Sequence, residues 1–192
     1  NIIKMFNKCY SDAKPNITMG NLFNQTGQYD AIIGNPPFNF SGKIKTPTTS
    51  NIGKQNDGFT VWCEFVRHSM SLLKDGGYMC FIVPAIWMKP DKAGMYNFLL
   101  QWKIERIKCY TNTETNNLFH GQAQTPTSIF LVRKILHDPV DVQHILSIYS
   151  KKTDKYIKHT LTKGSPIPMT NIEVVNNLQH YISTKGYIKV KK

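Results

Sequence analysis

An α/β domain built on a mostly parallel sheet is what this sequence predicts, and three features predict it. Near-continuous apolar runs at Tyr29 to Gly34 and Tyr78 to Val83 have the length and content of parallel strands covered on both faces. Apolar residues recur at helical spacing between and after them. Two later runs, Ile104 to Tyr110 and Ser128 to Val132, are joined by a loop and no helix, which predicts an antiparallel hairpin at one edge.

Taken in order, Ile2 to Tyr10 alternates apolar and basic residues as the end of a helix does, and Pro15 forces an exit. Asn16 to Gly20 reads as a short strand, and Tyr29 to Gly34 as the next. Asn39 to Gly58 has no periodicity, is rich in small polar residues and carries Lys43, Lys45 and Lys54; a loop this long is functional or disordered. Phe59, Trp62, Cys63, Val66, Met70 and Leu73 fall on one helical face, in a stretch ending at Asp75-Gly76-Gly77. Tyr78 to Val83 is a buried strand ended by Pro84, and a helix follows from about Lys92 to Trp102. Beyond the closing strands, Asn171 to Ser183 sets Ile172, Val175, Leu178 and Ile182 on one helical face.

The 192 residues, 41% hydrophobic and 19% charged, suit one globular domain with a sizeable core. Lys and Arg total 24 against 12 Asp and Glu, a formal charge of +12, and the pI is near 9.6; a polyanionic partner is favoured, nucleic acid or an anionic membrane surface. No apolar run approaches the roughly 20 residues that span a bilayer, and no charged-then-apolar leader opens the chain, so the reading is a soluble, cytoplasmic protein. Cys9, Cys63, Cys80 and Cys109 are widely spaced with no C-x-x-C, and the six histidines make no zinc-type pairing with them; reduced core thiols and no metal are expected, with Cys63 and Cys80 as small buried hydrophobes.

The string Asn35-Pro36-Pro37-Phe38 directly follows the first long apolar run. Two consecutive prolines deny the backbone helix and sheet, so local carbonyls stay free to accept from a ligand. An Asn oxygen beside a free carbonyl is a two-acceptor clamp for an amino group, and the Phe38 ring offers a flat face to a planar base. This string resembles the Asn/Asp-Pro-Pro-aromatic motif of S-adenosylmethionine-dependent amino-methyltransferases, above all the N6-adenine DNA enzymes. The resemblance extends to Gly76 to Pro84, to Asn117-Leu118-Phe119 and to Thr127 to Val132, which look like later segments of TaqI-like adenine methyltransferases of restriction-modification systems.

The resemblance implies a Rossmann-like methyltransferase fold from its third strand onward, over residues 1–145, with 146–192 a basic segment at the start of a target-recognition region. No Asp/Glu-x-x-x-Gly-x-Gly cofactor loop is present and the chain opens at Asn1 without Met, so the reading is of a protein continuing upstream, with this part inactive alone. Asn35, Pro36, Pro37 and Phe38 would be catalytic, the Asn35 oxygen and the Pro36 carbonyl accepting from the two N–H groups of a flipped-out adenine. Phe38 would stack on that base. Phe119 is either a second stacking aromatic or a plain core residue. S-adenosylmethionine would lie against Asn35, Asn21 and Leu22, with Asn21 where the family usually has an acid. Double-stranded DNA is the implied partner, with an associated restriction endonuclease. Lys43, Lys45, Lys54, Lys151, Lys152 and Lys155 are phosphate contacts on this reading; the last three belong to a basic run with Lys158 and Lys163, interleaved with Tyr149 and Tyr156, of which a solvated basic face is the other reading. A protein-glutamine or RNA methyltransferase of the same fold, or an inactive nucleic-acid-binding remnant, are the alternatives.

Overall fold

The computed structural model describes residues 20–39, 60–136, 143–162 and 164–185. The expected helix end at Ile2 to Tyr10, and all but the last residue of the expected strand at 16–20, lie outside them. So do Cys9, Lys163 and the loop that carries Lys43, Lys45 and Lys54.

Six strands form one sheet in the order β1-β2-β4-β3-β5-β6: β1 (Tyr29–Gly34), β2 (Leu73–Pro84), β3 (Trp102–Tyr110), β4 (Thr127–Leu136), β5 (Gln143–Ser150) and β6 (Lys155–Thr162). β1 is parallel to β2 and β3 to β5, while β4 is antiparallel to β2 and β3, and β6 to β5. Four of six strands therefore point one way, and helices α1 (Trp62–Leu72) and α2 (Met95–Leu100) connect strands of that common direction. The architecture is the expected Rossmann-like α/β class.

The antiparallel parts sit differently from the expectation. β3 and β4 do pair antiparallel, but β4 lies inside the sheet, since Phe130 and Val132 pack among buried neighbours on both β2 and β3. A short helix, α3 (Asn112–Leu118), also intervenes. It has no apolar stripe to announce it and rests on a capping box, in which the Thr111 hydroxyl accepts from Glu114 N–H and the Glu114 carboxylate accepts from Thr111 N–H at 2.8 Å. The edge hairpin is β5–β6 instead. Leu146 and Ile148 of β5 join the same core as Phe130, so the sheet continues through residue 145.

β1 departs from its expected cover on both faces. It is the edge strand with β2 as its neighbour, and Ile33 is 82% exposed. The bends around it require glycine. A Cβ on Gly34 would lie 3.0 Å from the Phe81 ring, and one on Gly77 would lie 2.9 Å from the Lys74 carbonyl and 3.0 Å from that of Asp30. Asp75-Gly76-Gly77 thus serves as an irregularity within β2, where register with β1 shifts between Tyr29 and Ala31.

α1 buries Trp62, Val66 and Met70 as its spacing predicts. α2 is shorter than Lys92 to Trp102, because Asp91 to Gly94 forms a turn: the Asp91 carbonyl accepts from Gly94 N–H, its Oδ1 accepts from Tyr96 N–H at 3.0 Å, and Gly94 has φ +68°. Helix α4 (Ile172–Lys185) buries Ile172, but Leu178 and Ile182 are exposed. Its first turns reach the sheet, where Ser150 donates to Glu173 and Asn176 meets His159 at 2.8 Å.

These helices cover one face of the sheet. Met79, Phe81 and Val83 of β2 pair with Val132, Phe130 and Ser128 of β4, and all six are buried there. Intervening residues on the other face, such as Cys80, Ile82, Ile129 and Leu131, are only partly buried. Cys80 was expected inside the core and is half-buried because it lies on this open face; Cys63 is half-buried on α1.

Candidate active site at the carboxyl edge of the sheet

Asn35 follows the last residue of β1, at the edge where β2, β3 and β5 also end, so its position is set by a strand end and not by a flexible loop. Asn35 is exposed, Pro36 buried and Pro37 exposed. Burial of the first proline between two exposed neighbours fixes the turn. Among the described residues, no hydrogen bond occupies the Asn35 side chain or the Pro36 carbonyl, whereas the Phe38 carbonyl accepts from Val61 N–H at 3.3 Å. Among the described residues, two acceptors at the head of the motif thus have no partner, while its tail is tied to the start of α1. A bridge between Asn39 and Thr60 adds to that tie.

The structure brings Phe119 to this motif across 81 positions of sequence. The Phe38 and Phe119 ring centroids are 6.0 Å apart at an interplanar angle of 72°, an edge-to-face pair, and both rings are partly exposed. Phe119 is held at the end of α3 by the capping box and by the hydroxyls of Thr115 and Thr127, which share a buried 3.0 Å hydrogen bond. The start of β4 beside Thr127 is held in turn by Trp87, whose indole N–H donates to the Ser128 hydroxyl at 2.9 Å, and by Ala85, whose N–H donates to the Pro126 carbonyl at 2.8 Å. The arrangement can accept from an amino group and present an aromatic face beside it.

Asn21 and Leu22 lie elsewhere in the contact network. Asn21 Oδ1 accepts from Phe23 N–H at 3.1 Å, capping a short 3-10 turn, and the Leu22 carbonyl accepts from His68 of α1 at 3.0 Å. Phe23 packs edge-on against Phe65 of the same helix. Among the described residues no hydrogen bond or ring contact joins Asn21 or Leu22 to Asn35.

Lys151, Lys152 and Lys155 flank the β5–β6 turn. Lys151 pairs with Glu114, which also accepts from the backbone and hydroxyl of Thr111; these hydrogen bonds, that of Lys151 first, hold the Glu114 carboxyl down at about 2. Lys152 and Lys155 are exposed. Sequence reading missed the hairpin that carries them and the cations of β3 beside it. Lys108 lies 4.2 Å from the Tyr149 ring centroid, and the Arg106 guanidinium lies 5.2 Å from that of Tyr156. The signal was the alternation of Arg106, Lys108 and Tyr110 with buried Ile107 and Cys109.

Among the described cysteines, burial pushes the Cys63 thiol up to about 11 and that of Cys109 up to about 12 and raises that of Cys80, which disfavours the nucleophilic thiolate at each. Among the described residues, no cluster of three His, Cys, Asp or Glu could hold a metal, and no helix is long and apolar enough to cross a membrane.

A putative type II restriction enzyme and methyltransferase of Methanocaldococcus jannaschii is 42% identical over 59 residues, 30% of this chain and 5% of that protein. The type II methyltransferase M.HincII of Haemophilus influenzae is 28% identical over 142 residues, 67% of this chain and 26% of that protein. The chain thus spans about a quarter or less of these relatives' lengths. The M protein of the type I restriction enzyme EcoKI superposes with a TM-score of 0.48 at 15% identity, covering 86% of this chain and 35% of that one. The sequence model of the Eco57I restriction-modification methylase family matches residues 2–119, more than half of the 192 residues, and the chain belongs to that family.

Proposed function

We propose that the protein carrying these residues transfers a methyl group to N6 of adenine in double-stranded DNA, within a restriction-modification system. The observation that carries this reading is the meeting of Phe38 with Phe119 beside the two open acceptors of Asn35 and Pro36. The exocyclic amine of adenine is a poor nucleophile because its lone pair is delocalised into the ring. Accepting from both N–H groups, through Asn35 Oδ1 and the Pro36 carbonyl, favours a pyramidal nitrogen and aims the lone pair outward. This is positioning with electrostatic stabilisation, and it needs no general base. Phe38 stacks on the base and Phe119 closes over it, after the base leaves the duplex at a cost of a few kcal/mol.

The residues present fit the acceptor side of this reaction. S-adenosylmethionine supplies an electrophilic sulfonium methyl when bound. Asn35, Asn21 and Leu22 are the residues of this chain that would touch it, with the Asn21 Oδ1 engaged in its cap and the amide Nδ2 left to donate. Lys43, Lys45, Lys54, Lys152 and Lys155 contribute phosphate contacts, Lys151 being engaged by Glu114, and an associated restriction endonuclease is the expected functional partner.

The full-length protein, incubated with labelled S-adenosylmethionine and separately with duplex DNA, RNA and protein, is expected to label DNA at adenine. Asn35→Ala should lower turnover by about 10²-fold or more without loss of folding. Label in RNA or protein alone refutes the reading.

A further inference from the structure

The open face of the sheet divides into two chemistries. On the β1, β2 and β4 side it presents Ile33, Cys80, Ile82 and Leu131; on the β3, β5 and β6 side it presents tyrosines and cations. We propose that this second half, centred on Arg106, Lys108 and Lys158, is a binding surface for the phosphate backbone of the substrate nucleic acid, outside the base pocket. It rests on the reading of the protein as a DNA methyltransferase.

Four lysines of the described residues are neutralised in ion pairs: Lys74 with Asp30, Lys103 with Glu105, Lys134 with Asp75 and Lys151 with Glu114. Arg106, Lys108 and Lys158 are not among them. Lys108 sits 4.2 Å from the Tyr149 ring centroid and 5.7 Å from that of Tyr110, and Arg106 sits 5.2 Å from that of Tyr156. The carboxylates bordering the patch are already engaged, Asp154 by the Tyr149 hydroxyl and Glu114 by Lys151.

A cation over an aromatic ring is oriented without being neutralised. It keeps its full charge for an anion and has less rotamer freedom left to lose when it meets one. Arg106 and Lys108 stand two residues apart on β3, about 7 Å along a strand, a spacing that suits successive phosphates. Lys158 lies two residues beyond Tyr156 on the same face of β6. Charge complementarity selects the occupant: in a chain of formal charge +12 these cations form no ion pair among the described residues on a sheet face, and the partner that matches a row of them is a polyanion.

The location connects the patch to the base pocket. Tyr110 and Tyr149 are at the carboxyl ends of β3 and β5, the edge on which Asn35 sits, and α3 leads from Tyr110 to Phe119. A strand leaving the Phe38–Phe119 pair would run onto this face and be held there without regard to sequence, since phosphate contacts position and do not specify.

The test uses the full-length protein and a fluorescent DNA duplex, with binding followed by anisotropy over a salt series. Arg106→Gln with Lys108→Gln should weaken binding about tenfold at low salt and reduce the slope of log K against log salt by about 1.8, close to 0.9 per contact. Lys158→Gln, on an exposed side chain, should reduce the slope by about 0.9. The exchange Arg106→Lys with Lys108→Arg should keep the slope, and Lys74→Gln, which removes a charge from an existing pair, should leave it unchanged. An unchanged slope in both the double variant and Lys158→Gln, with melting as in the wild type, overturns the proposal; so does tighter binding to phosphatidylserine vesicles than to DNA. Unchanged slopes with methyl transfer to DNA intact refute the surface and leave the enzymatic reading. Altered slopes in a protein that labels only RNA or protein refute that reading and leave the surface.

Discussion

Adjacent residues of one strand meet opposite surroundings on the two faces of this sheet. On β2, Met79, Phe81 and Val83 are closed under α1, α2 and the turn at Ala85–Met88, while Tyr78, Cys80 and Ile82 stand on a face that the described helices do not cover in the same way. On β3 the same division separates Ile107 and Cys109 from Arg106, Lys108 and Tyr110. The closed face is a core that holds the strand ends in place, and the open face carries half-exposed rings and cations that form no ion pair among the described residues. β3 declares the difference in its sequence, apolar alternating with cationic. β2 does not, because an apolar run reads the same whether one face is covered or two.

The sharpest way to break this comparison is to truncate one residue from each face. Phe130→Ala removes a ring with no exposure that touches Phe81 and Trp87, at centroid distances of 6.5 and 5.6 Å, and should cost about 3–5 kcal/mol in denaturant unfolding. Ile33→Ala, on the open face of the edge strand, should change stability by no more than about 0.5 kcal/mol. Similar losses at both positions would mean that the two faces are equally enclosed.

A smaller effect is expected where α3 meets the open face. Thr111→Ala deletes the N-cap hydroxyl that accepts from Glu114 N–H and should cost about 1 kcal/mol. Because Phe119 follows directly on α3, the same variant should loosen the Phe38–Phe119 contact, seen as increased mobility of both rings by NMR. A stability loss with both rings unmoved would separate the helix from the site it is argued to support.

Much of the frame and the head of the candidate site were legible in the sequence, for reasons that can be named. The strands at 78–83, 104–110 and 128–132 and the helix from Trp62 were carried by apolar content and spacing, and Asn35 to Phe38 by the prolines. Phe119 was nominated with two readings open, and only the tertiary structure reveals its ring against Phe38. What was missed depends on partners distant in sequence. α3 is polar up to its last residue, Leu118, and signalled only by Thr111-x-x-Glu114; β5 and β6 alternate in short stretches whose charge reads as a basic run, phosphate-contacting or solvated, and not as strands. The interior place of β4 follows from pairing on both flanks, which periodicity does not encode. The exposure of β1 follows from its place at the edge.

The last and smallest prediction concerns the tie between α3 and the β5–β6 turn. Glu114 has its carboxyl lowered from an ordinary 4.5 to about 2, by the hydrogen bond from Lys151 first and the Thr111 backbone second. The folded protein therefore holds this proton less tightly than the unfolded chain does. The associated stability is fully present above pH 4.5 and is lost as pH falls toward 2. The Glu114 and Lys151 side chains are each 39% exposed, so solvent screens the pair and its worth should stay below about 1 kcal/mol. Glu114→Gln should lower stability by that amount near neutrality and by progressively less as pH falls through the window. Asp30, also lowered through its pair with Lys74, titrates in both proteins and cancels in the difference. A difference between wild type and Glu114→Gln that does not vary with pH would assign the effect to the capping hydrogen bond and remove Lys151 from the tie.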